Sequence, residues 1–112
     1  MTGGGSEEEL ALLETSLAAL ATSLRDAALP SAAQALEVLP PAGVEGWASI
    51  WIASLGFARE VAKRWGATAS EARKHATTRK DYEGLEQLRR DLDAVEQETS
   101  VLIEKLVGAF GS

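Results

Sequence analysis

Leu10, Leu13, Leu17, Leu20 and Leu24 recur at alternating spacings of three and four, which lines them up along one face of a helix. Ahead of them, Ser6 and Glu9 have the spacing of a capping box. Glu7, Glu8 and Glu9 bring negative charge to the positive end of the helix dipole. The pattern predicts a first helix over about 6–29, stopped by Pro30. Ser31 and Gln34 form a second capping pair for a short helix over 31–39. The run Leu39-Pro40-Pro41-Ala42-Gly43 ends it, because a helix interior tolerates neither proline.

From Val44 the apolar positions Trp47, Ile50, Trp51, Leu55, Val61 and Trp65 again follow a helix. Gly66 stands where a C-cap glycine would, and Thr68 with Glu71 makes a third capping box. These signals predict helices over 44–65 and 68–80 with a turn between them. The rival is one continuous helix, since Trp47, Trp51, Ala58, Trp65, Ala69, Ala72 and Ala76 keep helical spacing through Gly66. A glycine inside a helix costs only about 1 kcal/mol. The last segment, 81–109, is the most regular: Leu85, Leu88, Leu92, Val95, Thr99, Leu102 and Leu106 alternate three and four between charged residues.

No segment reads as a strand. The fold class is therefore all-α, a small helical bundle or a long helical hairpin with coiled-coil-like leucine seams. At 112 residues the chain forms one domain, expected over 6–110, with a core that is marginal unless it pairs with something. Residues 1–5 read as a disordered tail or an appended scar. The two seams, Leu10, Leu13, Leu17, Leu20 and Leu24 in the first helix and Leu85, Leu88, Leu92, Val95, Leu102 and Leu106 in the last, are expected to pack on each other or to pair across a dimer.

The longest apolar run, Trp47 to Ala58, is interrupted by two serines and is too short to span a bilayer. The N-terminus offers neither a basic region nor an apolar one, so the expected location is cytoplasmic, or exported without a signal peptide of the usual kind. Absence of cysteine excludes disulfides and thiolate metal sites. His75, the single histidine, has Glu71 one turn before it, two ligands where a metal site needs three or four. No cofactor and no enzymatic activity are expected. Trp47, Trp51 and Trp65 are read as a core face rather than a ligand pocket.

Net charge is −6, unevenly placed. Residues 47–80 carry seven basic groups against Glu60 and Glu71, whereas residues 1–46 and 81–112 are net −6 and −5. Either the middle meets an anionic partner or the acidic ends fold against it.

Within the basic middle, Val61, Ala62, Trp65 and Gly66 resemble the helix-turn-helix unit of bacterial DNA-binding proteins, here spanning 57–77. The resemblance implies a second helix in the major groove. Thr68, Ala69, Ser70, Arg73, Lys74 and Thr77 would be its exposed residues, with Arg79 and Lys80 near phosphates. A second resemblance covers more of the chain. Tyr82 and Glu86 match a Tyr-x-x-x-Asp/Glu export motif, and the Ala-rich helical layout is similar to small substrates of the type VII (ESX) secretion pathway. That resemblance implies a non-enzymatic hairpin that pairs with another hairpin. The leading expectation is thus association with itself or a helical partner. The alternatives are a DNA-binding regulator and an engineered bundle.

Overall fold

The computed structural model describes the backbone of residues 2–110 and the side chains of residues 8–109. Among them four helices follow one another, α1 (Thr2–Asp26), α2 (Pro30–Glu37), α3 (Trp47–Arg73) and α4 (Arg79–Phe110), with no strand. The all-α expectation holds. The most extensive interface is between α3 and α4. It is antiparallel: Arg59 faces Ser100, Gly66 faces Leu92 and Arg73 faces Glu86, so numbers fall on one helix as they rise on the other. α1 runs antiparallel to α4, with Ser16 and Leu20 beside Glu98 to Lys105, and Ser23 and Asp26 beside Asp91 to Val95. α2 bridges α1 and α3.

One core serves all four helices. Leu13, Leu17, Leu20 and Leu24 of α1, Leu36 of α2, Trp51 and Leu55 of α3, and Leu92, Val95, Leu102 and Leu106 of α4 are buried in it. Most of both leucine seams is therefore buried within a single chain. Leu10, Leu85 and Leu88 are the partly covered ends of those seams. Thr99 interrupts the α4 seam and is fully buried. Its hydroxyl is satisfied by the carbonyls of Val95 and Glu96 in its own helix.

Several boundaries differ from the expected ones, each for a local reason. α1 begins at Thr2, so residues 2–5, expected as a tail, continue the helix backbone. The side chain of Ser6, the expected cap, lies outside the described residues. α1 ends at Asp26 rather than Leu29. The Leu29 N–H reaches the Leu24 carbonyl (2.8 Å) and the Ala28 N–H reaches that of Arg25 (3.0 Å), the paired bonds of a Schellman turn, with Ala28 at φ 65°. Pro30 opens α2 instead of only stopping α1, and the Ser31–Gln34 cap is not formed: Leu29 is the N-cap and no side chain caps it.

The larger correction concerns the middle. α3 passes through Gly66 without a turn, so helices 44–65 and 68–80 are one helix that ends at Arg73. Gly66 lies against Leu92, where an added methyl would sit 3.8 Å from the Leu92 Cβ. Tertiary packing on α4 holds the helix together across a residue whose intrinsic preference is to break it. Thr68 is interior, its hydroxyl donating to the Arg64 carbonyl. The real turn is at 74–78, where the Thr78 hydroxyl accepts the Asp81 N–H (3.1 Å) and caps α4.

The α2–α3 connection is held at two points. The Trp51 indole donates to the Pro40 carbonyl (2.8 Å), and the Ala42 N–H donates to the Glu14 carboxylate (3.3 Å). Trp47 and Trp51 are buried edge to face, ring centres 5.0 Å apart. The molecule is a rod, 58 × 22 × 19 Å, with a radius of gyration of 16.0 Å against about 13 Å for a compact chain of this length.

Two glycine exchanges check these backbone assignments in opposite directions. Gly66→Ala is expected to raise stability by about 0.5–1 kcal/mol in urea unfolding, since the site is helical and has room. A loss instead would mean that Gly66 is a turn. Ala28→Gly is expected to stabilise by about 1 kcal/mol, because a left-handed residue with a Cβ is strained; a loss would place Ala28 outside that conformation.

Candidate association surface

The three tryptophans do not share one environment. Trp47 and Trp51 belong to the core, but Trp65 is 52 % exposed. The expectation of a common core face fails although Trp65 stands five full turns from Trp47 and shares its direction: Trp47 packs against Trp51, whereas Trp65 borders an open groove beside the end of α1. Trp65 follows three other apolar residues along the outer side of α3. Ile50 (48 % exposed), Phe57 (56 %), half-buried Val61 and Trp65 succeed one another at steps of seven, four and four. They form a stripe roughly a quarter-turn away from the buried alanines Ala58, Ala62 and Ala69.

The stripe is one wall of an open groove. Its other wall is the α1–α2 corner, so that Ala28, Leu29 and Pro30 face Phe57, Val61 and Trp65. The groove is positioned by the Schellman turn, which stops α1 before it can cover this part of α3. Along the outer rim lie Glu60 and Arg64, both exposed, in a loose pair at 3.9 Å. Apolar residues scattered singly need no explanation, but the half-exposed Phe57 and Trp65 flank half-buried Val61 along one groove.

The candidate nucleic-acid contacts are organised differently from the expectation. Ala69 is buried, Ser70 half-buried, and Thr68, Lys74 and Thr77 exposed. Arg73 is turned into the hairpin, where it meets Glu86 and lies over the Tyr82 ring, 5.6 Å from its centre. Lys74 stands 3.7 Å from Glu71, and Arg79 bonds Glu83 at 3.1 Å. Lys80 is exposed on the first turn of α4. Much of the basic charge of the middle is thus answered by acids of α3 and α4.

The candidate export pair sits at the hairpin tip. Tyr82 is about half-exposed, whereas Glu86 is the hub of a clamp that accepts from Arg73 on α3 and from Arg89 (2.9 and 3.3 Å) and Arg90 (3.1 Å) on its own helix. The Arg89 bond foremost, and the Arg73 bond with it, hold the Glu86 carboxyl down to about 2 against the opposing effect of burial. The Arg89 and Arg90 partners are legible as i, i+3 and i, i+4 spacings; Arg73 is not, because its meeting with Glu86 depends on where the chain turns. His75 lies 3.7 Å from Glu71 on an exposed turn. Among the described residues no group of acids and histidine could hold a metal ion, and no helix is long and apolar enough to cross a membrane.

Comparison of the chain with protein-family models, with curated proteins and with solved structures finds no match.

The clamp has a pH signature. A carboxyl held below its unfolded value contributes stability that is complete above about 4.5 and is lost as pH falls toward about 2. Glu86→Gln is expected to flatten the stability–pH curve across that window, measured by urea unfolding at pH 2 to 6. An unchanged slope would remove Glu86 as its source.

Proposed function

We propose that this chain is a non-enzymatic helical protein that works by helix–helix association, and that its contact surface is the outward stripe of α3 rather than the leucine seams. One observation carries the reading: Ile50, Phe57 and Trp65 stand about half-exposed along the outer side of α3, while most of the seam leucines are buried. Partly exposed tryptophan and phenylalanine are the residue types that anchor protein interfaces, where covering them releases water at little cost in side-chain freedom. An open groove beside the stripe offers such rings a place to insert.

A DNA-reading role draws less support, because Arg73 and Arg79 are engaged with acids and no turn precedes the would-be recognition helix. Binding to random duplex DNA that weakens steeply with salt would restore it. A type VII-like export role rests on Tyr82 and Glu86, which stand one turn apart on α4 with Tyr82 accessible at the tip.

The association reading is tested by placing a photo-crosslinking phenylalanine analogue at Phe57, and in a control at Thr22, in cells that express the chain. A discrete adduct from position 57 and none from position 22 is expected. No adduct, or the same smear from both sites, would overturn it.

A further inference from the structure

We propose that the flank between α1 and α4 is a docking groove for a cationic amphipathic helix of another protein. It is a second surface, apart from the α3 stripe, and either can fail without the other. The groove begins with a pattern on the two helices. Leu12, Ser16, Ala19, Ser23 and Asp26 follow one another on α1 at steps of four, three, four and three. Asp91, Ala94, Glu98, Val101 and Lys105 do the same on α4 at three, four, three and four. Each line stands one residue ahead of the buried seam of its helix, about 100° round from it. All of these residues except Leu12 line the trough that the two helices leave between them.

The trough is open because α1 and α4 meet far more sparsely than α3 and α4 do. Its floor is apolar, with Leu20 and Leu102 buried at the bottom. Two larger apolar side chains are left in water along it, Leu12 on the α1 side (67 % exposed) and Val101 on the α4 side (53 %). From Leu12 to Asp26 the α1 wall runs about 21 Å at 1.5 Å per residue, so a helix of four to five turns would lie along it.

Charge says what kind of helix. Asp26 stands at one end of the trough and Asp91 and Glu98 on its α4 wall, while the exposed Glu8 and Glu9 lie within one turn of Leu12 at the other end. Lys105 is the one base among the lining residues. The ion pairs among the described residues use Glu37, Glu60, Glu71, Glu83 and Glu86, and none of these five acids. Asp91 accepts only from the neutral Gln87 amide (2.9 Å). The arginines of the basic middle are answered within the chain; the acids of this flank are not. Unanswered carboxylates repel phosphate, which disfavours nucleic acid and anionic lipid here. They favour a helix that carries lysine or arginine on both sides of an apolar stripe, with the stripe on Leu12 and Val101.

The test titrates the full chain against two fluorescein-labelled helical peptides of about twenty residues, read by anisotropy at physiological salt. Both peptides carry leucine and alanine on one face; one has lysine on its flanks and the other glutamate. The lysine peptide is expected to bind with a micromolar Kd, and the glutamate peptide at least about tenfold more weakly. Asp26→Lys with Glu98→Lys is expected to weaken the lysine peptide about tenfold. Glu60→Lys with Glu71→Lys shifts the net charge equally but on α3, and is expected to change binding less than about twofold. Val101→Gln leaves charge alone and is expected to cost about fivefold by removing an apolar contact. Circular dichroism checks that each variant keeps its helix content. Equal binding of the two peptides, equal loss from the two charge exchanges, or an unaffected Val101→Gln would each overturn the groove. A wild type that self-associates in sedimentation velocity, and that the Asp26 and Glu98 exchanges make monomeric, would overturn the foreign helix in favour of a second copy.

Discussion

The structure depends on one constraint: α3 presents alanines and a glycine where α4 presents leucines and a valine. Ala58, Ala62 and Ala69 are buried on α3, and Gly66 abuts Leu92, so the two backbones come close along much of their length. Small residues on one side let large ones on the other reach past them. Every other element takes its place from that hairpin. α1 lays its leucines over the exposed side of the α4 seam, and α2 closes the end where Trp47 and Trp51 lie. Because α1 stops at Asp26, the hairpin continues beyond it with one flank uncovered.

The same packing explains which parts of the fold could be read from the residues. α4 was legible almost to its ends, because seven seam positions at three–four spacing leave no competing periodicity. The leucine line of α1 was equally plain, and its residues are in the core as expected. α3 was harder. Its cap signals, Gly66 and the Thr68–Glu71 box, are local preferences worth about 1 kcal/mol each, whereas burial of one leucine-sized side chain is worth about 1.5–3 kcal/mol. The unbroken alanine and tryptophan spacing recorded the stronger effect, and the structure follows it. The one side-chain cap that forms among the described residues at the start of α4, Thr78, was not among those read from the sequence, which carried a helix through it.

The surface was less legible than the core for a geometric reason. Trp65 shares both residue type and helical direction with the core residue Trp47, and neither says where the covering helix α1 ends. The stripe becomes visible only when Ile50, Phe57, Val61 and Trp65 are read as one line, separate from Trp51, Leu55 and Ala58. The fate of the basic middle was likewise hidden. Whether Arg73 meets solvent or Glu86 is decided by the five-residue turn at 74–78, and composition cannot say where that turn falls.

The division of the tryptophans also equips the molecule with two optical reporters. Trp47 and Trp51 are enclosed against each other, while about half of the Trp65 ring meets water. A dissolved quencher such as iodide collides with Trp65 and is kept from the other two as long as the core is intact. The fraction of emission that can be quenched therefore measures what happens on the outer side of α3, and the remainder measures the state of the core. A single native spectrum separates surface events from unfolding, with no label attached.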